Sequence, residues 1–138
     1  MTEPYASPAD PAFRAVLDRG LNILSDGVTT LRQLGILYNL SVDTPETVRS
    51  LAKALYVRKP IITRAADRLE TKGWVVRRAD TSDRRSVHLY LTPLGAALCA
   101  ALDGRATPDE YKALEKDYRR KLARRKAARA QSGAEAAA

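Results

Sequence analysis

The strongest constraint on the fold is a change of hydrophobic period between Val48 and Leu91. Val48, Leu51, Ala52 and Leu55 space an apolar stripe for a short helix, which breaks at Tyr56-Val57-Arg58. Lys59-Pro60 then opens a longer helix to about Lys72. Proline is tolerated in the first helical turn, and Gly73 suits the left-handed position just past the end. Two helices joined by so short a turn form a helix-turn-helix. Beyond Gly73 the period drops from 3.6 to 2. Trp74-Val75-Val76-Arg77-Arg78 reads as one strand, and Val87, Leu89 and Leu91 alternate with His88 and Tyr90 in a second. The polar run from Ala79 to Arg85 joins them as a hairpin. The expected fold is mainly α with a small β-hairpin, a winged helix-turn-helix.

The flanks organise around this unit. Residues 1–10 hold two prolines and no apolar periodicity, and read as a flexible arm. A first helix starts at Pro11, carries Phe13, Val16, Leu17, Leu21 and Leu24 at helical spacing, and ends at Asp26-Gly27. Thr29 or Thr30 can cap a second helix with Leu31, Leu34, Leu37 and Tyr38 facing inward, and 41–44 is a connector. Thr92-Pro93 caps a helix with Leu94, Leu98, Ala101 and Leu102 inward, stopped by Asp103-Gly104. The winged unit with its flanking helices therefore spans 11–104. Thr107-Pro108-Asp109-Glu110 is a capping box that starts a basic helix over 105–130, and 131–138 reads as a disordered tail.

Charge gives this shape a partner. The 138 residues carry 24 Lys and Arg against 16 Asp and Glu, a net +8. Residues 49–85 hold 11 basic and 4 acidic side chains, a balance of +7, and residues 112–138 hold 9 and 3, a balance of +6. The remainder is mildly acidic. Two basic blocks, one with a groove-sized helix in it, point to a polyanion, and double-stranded DNA fits best.

On the longer helix, Ile62, Ala66 and Leu69 share one face, suited to the core. The opposite arc carries Pro60, Thr63, Arg64 and Asp67, with Ile61 and Arg68 on its shoulder. A B-DNA major groove admits a helix in this manner, so Lys59, Pro60, Ile61, Thr63, Arg64 and Arg68 form the major-groove set. Arg64 can pair bidentately with guanine, and Asp67 is placed to orient Arg64 or Arg68 rather than to touch DNA. Arg84 and Arg85 at the hairpin tip suit a minor groove, beside Asp80 and Asp83, either of which can hold a guanidinium in a fork geometry. Arg49, Arg58, Lys72, Arg77, Arg119, Arg120, Arg124 and Arg125 are phosphate candidates, which position without specifying.

Residues Thr29 to Gly95 resemble the winged-helix domain of the MarR family of bacterial transcription regulators. Thr47-Val48-Arg49-Ser50-Leu51-Ala52 is similar to the start of that domain's first motif helix, and Pro60 through Glu70 to its recognition helix. Lys72-Gly73-Trp74-Val75-Val76-Arg77 resembles the exit into the wing. Asp80-Thr81-Ser82-Asp83-Arg84-Arg85, followed by Leu91-Thr92-Pro93-Leu94-Gly95, resembles the wing and the helix after it. The resemblance implies wing arginines at Arg84 and Arg85, with Asp83 as their partner. It also implies a homodimer joined through the N- and C-terminal helices. Ser82 stands where the family's wing often has a further Arg. The short first helix and the stop at Gly104 depart from the family, so the dimer interface is expected to be reduced and a small-molecule effector is doubtful.

Several classes are excluded or disfavoured. One Cys and one His leave no internal disulfide and too few ligands for a usual zinc site. No nucleophile–base or paired-carboxylate arrangement appears, so neither an enzyme nor a cofactor is expected. No apolar stretch approaches the roughly 20 residues that cross a membrane, and a cytoplasmic, nucleoid-associated protein is expected. Cys99, on an Ala-rich helix, reads as a buried structural thiol. The expected function is a sequence-specific transcriptional regulator, dimeric on a palindromic site. Two alternatives remain open: an architectural DNA binder with little sequence preference, and a module that binds another transcription component.

Overall fold

The computed structural model of the chain describes residues 10–24, 29–42, 44–83 and 85–137. The sequence's N-terminal arm (save residue 10), the Asp26-Gly27 stop and Arg84 lie outside them. The elements in order are α1 (Pro11–Ile23), α2 (Leu31–Val42), β1 (Glu46–Thr47), α3 (Val48–Ala54), α4 (Lys59–Thr71), β2 (Val75–Ala79), β3 (Val87–Leu91), α5 (Pro93–Asp103) and α6 (Pro108–Ala137).

Local side-chain chemistry sets most of the helix starts. Thr30 and Gln33 cap α2 reciprocally: the Thr30 N–H donates to Gln33 Oε1 and the Gln33 N–H to Thr30 Oγ1, both at 3.2 Å. Thr47 and Ser50 do the same for α3, and Thr107 and Glu110 for α6. Thr92 Oγ1 accepts from the Gly95 N–H at 3.0 Å at the start of α5. Each such pair satisfies amide groups that a helix end otherwise leaves unbonded. Between α3 and α4 the chain turns through Tyr56, a non-glycine residue at φ 57°.

The sheet has three strands in the order β1-β3-β2, all antiparallel. The hairpin pairs Val75 with Leu91 through to Ala79 with Val87. On the other side of β3, Glu46 pairs with Leu89 and Thr47 with His88. This two-residue strand lies just beyond the 41–44 connector, in residues too few and too polar to show a period.

One core gathers Ile36, Leu37, Leu40, Leu51, Ile62, Ala66, Leu69, Val75, Leu89 and Leu98, all essentially inaccessible. The inward face of α2 differs from the one its spacing predicts. Gln33, Ile36, Leu37 and Leu40 are buried, whereas Leu31 is 85% and Tyr38 67% exposed. The face turned inward is the one that packs on α4, α5 and β3, and Gly35 lies so close to Leu55, just past α3, that a Cβ there would come within 2.9 Å of Leu55 Cδ2.

Gly73 and Trp74 join four elements, α4, β2, α5 and α6. Gly73 is left-handed at φ 81°, and the Tyr118 ring lies where its Cβ would be. Trp74 is buried, and its indole N–H donates to the Tyr111 hydroxyl at 2.8 Å, which ties α6 to the wing root. The Trp74 carbonyl accepts from the Thr92 N–H at 3.0 Å and sits 2.1 Å from where a Gly95 Cβ would project. Thr92 Oγ1 donates to the Gly73 carbonyl at 2.5 Å.

A second tie joins the wing to α4. Arg77 on β2 reaches Asp67 at 2.5 Å and Glu70 at 2.9 Å with one guanidinium nitrogen, and Glu70 again through Nε at 3.0 Å. Partial burial works against the charged form of Arg77, but the hydrogen bonds and charges of Glu70 and Asp67 outweigh it and raise its pKa further. Asp67 therefore orients the wing strand, in place of the expected orientation of Arg64 or Arg68.

α6 extends through Ala137, past residue 131 where the sequence places a disordered tail. The alanine-rich end has high helix propensity, and Gly133 meets no neighbouring atom. At 30 residues α6 spans about 45 Å, but only Tyr111 is buried in it.

Two changes test these ties. Tyr111→Phe keeps the ring but leaves the Trp74 N–H unsatisfied in the core; thermal unfolding should show a loss of about 1–3 kcal/mol. Arg77→Gln should cost less than about 1 kcal/mol, because its partners are a third to a half exposed. Its effect should be local, read as faster amide exchange in β2 and β3 while the α5 amides keep their protection.

Candidate nucleic-acid interface

The exposed arc of α4 is built by its own core face. Ile62, Ala65, Ala66 and Leu69 are buried, which turns Lys59, Pro60, Thr63, Arg64, Asp67 and Arg68 outward and leaves Ile61 half-buried at the edge. Thr63 Oγ1 donates to the Lys59 carbonyl at 3.2 Å, so its methyl is the part left to face outward. Asp67 is the one carboxylate on this arc. Its pairing with Arg77 offsets the negative charge that would otherwise repel phosphate.

Arg64 and Arg68 also border a small cleft of about 220 Å³, shared with Thr30, Arg32, Gln33 and Ile61. Arg32, on the first turn of α2, thus joins the two α4 arginines at the N-terminal end of a capped helix. A helix N-terminus and three guanidiniums together favour an anion. Sequence reasoning did not single out Arg32. The signal available was its place two residues after the Thr30 cap.

The phosphate candidates divide by their partners. Arg49 and Arg58 are exposed, on α3 and at the N-cap of α4. Lys72 donates to Thr29 Oγ1 at 3.0 Å and lies 4.8 Å from the Trp74 ring centroid, so its ammonium is engaged within the fold. Arg77 is engaged by Asp67 and Glu70. Its neighbour Arg78 points to the other face of the strand and is exposed, a placement that the two-residue period of β2 could have revealed. Arg119 pairs with Glu115 at 2.5 Å, while Arg120, Arg124 and Arg125 are exposed.

At the wing tip, two aspartates hold the turn. Asp80 Oδ1 accepts from the Ser82 N–H at 2.9 Å and its hydroxyl at 2.8 Å, and these bonds hold the Asp80 carboxyl below its usual range. Asp83 accepts from the Arg85 N–H at 3.0 Å and the Ser86 hydroxyl at 3.2 Å. Asp83 is thus a backbone cap for the turn that carries Arg85, and the Arg85 side chain is exposed.

Away from this surface, α1, α2 and α5 border an apolar groove of about 830 Å³, lined by Val16, Leu17, Leu21, Leu34, Tyr38 and Leu102 among others. Cys99 also lines it. Its thiol donates to the Leu37 carbonyl at 3.7 Å, and burial pushes its pKa up to about 11. A protonated thiol of this kind is a poor nucleophile. The Phe13, Leu17 and Leu21 stripe of α1 is about half exposed or more, so it does not close onto the core. Among the described residues, no helix is long and apolar enough to cross a membrane, and no cluster of three or more His, Cys, Asp or Glu is placed to hold a metal.

The MarR family model matches residues 29–87, from the residue before the Thr30 cap of α2 to the first residue of β3. The multiple antibiotic resistance protein MarR of Salmonella typhimurium is 35% identical over 96 residues, covering 70% of this chain and 67% of that protein. Among solved structures, the transcriptional regulator Tm0710 from Thermotoga maritima matches with a TM-score of 0.59 at 26% identity, over 80% of this chain and 84% of that one. Reduced AbfR, solved bound to DNA, matches with a TM-score of 0.53 at 26% identity, over 81% of this chain and 84% of that one. The helix-turn-helix, the wing and these relatives agree: the chain belongs to the MarR family.

Proposed function

We propose that this protein is a sequence-specific, double-stranded DNA-binding transcriptional regulator that works as a homodimer on a roughly palindromic site. The observation that carries the reading is the bare, cationic arc of α4, whose only carboxylate is neutralised by the wing. Lys59, Pro60, Ile61, Thr63, Arg64 and Arg68 enter the major groove, with Arg64 reading a guanine edge. Arg84 and Arg85 lie along the minor groove, and Asp83 shapes the turn that presents Arg85. Arg32, Arg49, Arg58 and Arg78 take neighbouring phosphates and fix the register. AbfR, of the same fold, supports this reading through its DNA-bound structure. Such a regulator works in the cytoplasm, at the chromosome.

The dimer follows from apolar surface that the monomer leaves open. Phe13, Leu17 and Leu21 on α1, with Leu31, Tyr38 and Val42 on α2, expose more large side chains than a solvated face normally carries. A second copy covering them through the terminal helices sets two α4 helices about one DNA turn apart, ~34 Å.

Two experiments test this. In selection from a random duplex pool, the protein should enrich an inverted repeat. Arg64→Ala should lose about 1–3 kcal/mol on that repeat and tolerate other bases at one position of each half; unchanged preference in a folded variant overturns the reading of α4. In sedimentation, the protein should be a dimer and Leu17→Glu with Leu21→Glu a monomer. A dimer that survives the double change contradicts the interface.

A further inference from the structure

Beyond Tyr118, α6 runs on for about five more turns. Tyr118 is the last residue of α6 that packs on the core, against Gly73 at the junction of α4 and β2. At 1.5 Å per residue, the helix continues about 28 Å beyond it. Over 119–129 it carries Arg119, Arg120, Lys121, Arg124, Arg125, Lys126 and Arg129, with no carboxylate in the stretch. All seven are exposed. Arg119 and Lys121 pair back with Glu115 and Asp117. Among the described residues, Arg120, Arg124, Arg125, Lys126 and Arg129 make no ion pair.

The pattern excludes the usual reasons for a long helix. At 100° per residue the seven cations point around the whole circumference, and Leu122 is the only large apolar side chain among them. A helix that lies in a membrane surface needs an apolar face, and one that docks on protein needs aliphatic or aromatic anchors. Neither is present. Like charges stand four residues apart at Arg120 and Arg124, Lys121 and Arg125, and Arg125 and Arg129. They lie well within the ~8–10 Å over which salt screens at physiological strength, so they destabilise the isolated helix. A polyanion relieves that repulsion whichever side of the helix it meets.

We infer that residues 119–129 of α6 form a second contact with double-stranded DNA, made to phosphates alone and blind to sequence, rooted at the junction of recognition helix and wing. It rests on the DNA-binding reading above and adds an element that supplies affinity without specificity. Each cation that neutralises a phosphate releases a counterion and steepens the salt dependence of binding by about 0.9.

The test uses the full chain and a variant with Arg124→Gln, Arg125→Gln and Lys126→Gln, glutamine keeping helix propensity. Binding to a labelled 30-base-pair duplex lacking any selected site is titrated across a range of salt concentrations. The variant should bind at least tenfold more weakly near 0.1 M salt, with a log–log slope flatter by about 2–3, and keep the base preference of the parent. Unchanged affinity and slope overturn the inference. So does an intact duplex affinity combined with lost binding to phosphatidylglycerol vesicles, which would make the arm a membrane contact. Arg64→Ala, titrated alongside, separates the two readings: it should relax preference with little change in slope. If it leaves preference unaltered while the arm variant still flattens the slope, the regulator reading fails and the arm stands.

Discussion

The Gly73-Trp74 pair is the constraint on which the rest of the structure depends. One residue supplies a left-handed backbone that ends α4, and the next buries an indole whose N–H and carbonyl are both engaged, by Tyr111 and Thr92. Helix α6 crosses directly over the glycine, and α5 starts so close to the Trp74 carbonyl that position 95 has room only for glycine. Four elements meet within two residues, so the angle between recognition helix and wing is set by covalent geometry and dense packing rather than by loop flexibility. A DNA reader gains from this, because parts held in place beforehand lose less entropy on docking.

Charge placement follows from the same scaffold. Arg77 lies on the strand that leaves Trp74, and the strand period turns it toward α4 while Arg78 faces out. Its engagement with Asp67 and Glu70 has two consequences. It braces the wing, and it removes a repulsive carboxylate from the surface that would meet phosphate. The positive field over α4 is thus made partly by an arginine that itself points inward.

Much of this was legible in the residues. The short stripe from Val48 to Leu55, the Lys59-Pro60 start and the alternation of Val87, Leu89 and Leu91 are local signals, and the helix-turn-helix and hairpin follow them. The Thr107–Glu110 box marks its helix start as directly. What was not legible depends on distant partners. Strand β1 exists only because β3 offers it an edge, and the rotation of α2 depends on how it packs against α4, α5 and β3. For the site, the outward arc of α4 could be read from its wheel, but Asp67's partner could not, since Arg77 is ten residues away on another element. The place of Arg32 after the Thr30 cap was readable, but its cleft was not, because that is assembled from two helices. The continuity of α6 past residue 131 reflects propensity in a segment whose composition reads as disordered.

The central claim is that α4 and the wing together read one face of a DNA site, twice over, about a helical turn apart. Hydroxyl-radical footprinting on a selected duplex tests it most directly. The account predicts discrete protected windows on each strand, related by two-fold symmetry, with the minor-groove sugars flanking each half-site shielded by the wings. Uniform protection along the duplex, without symmetry or boundary, would contradict it.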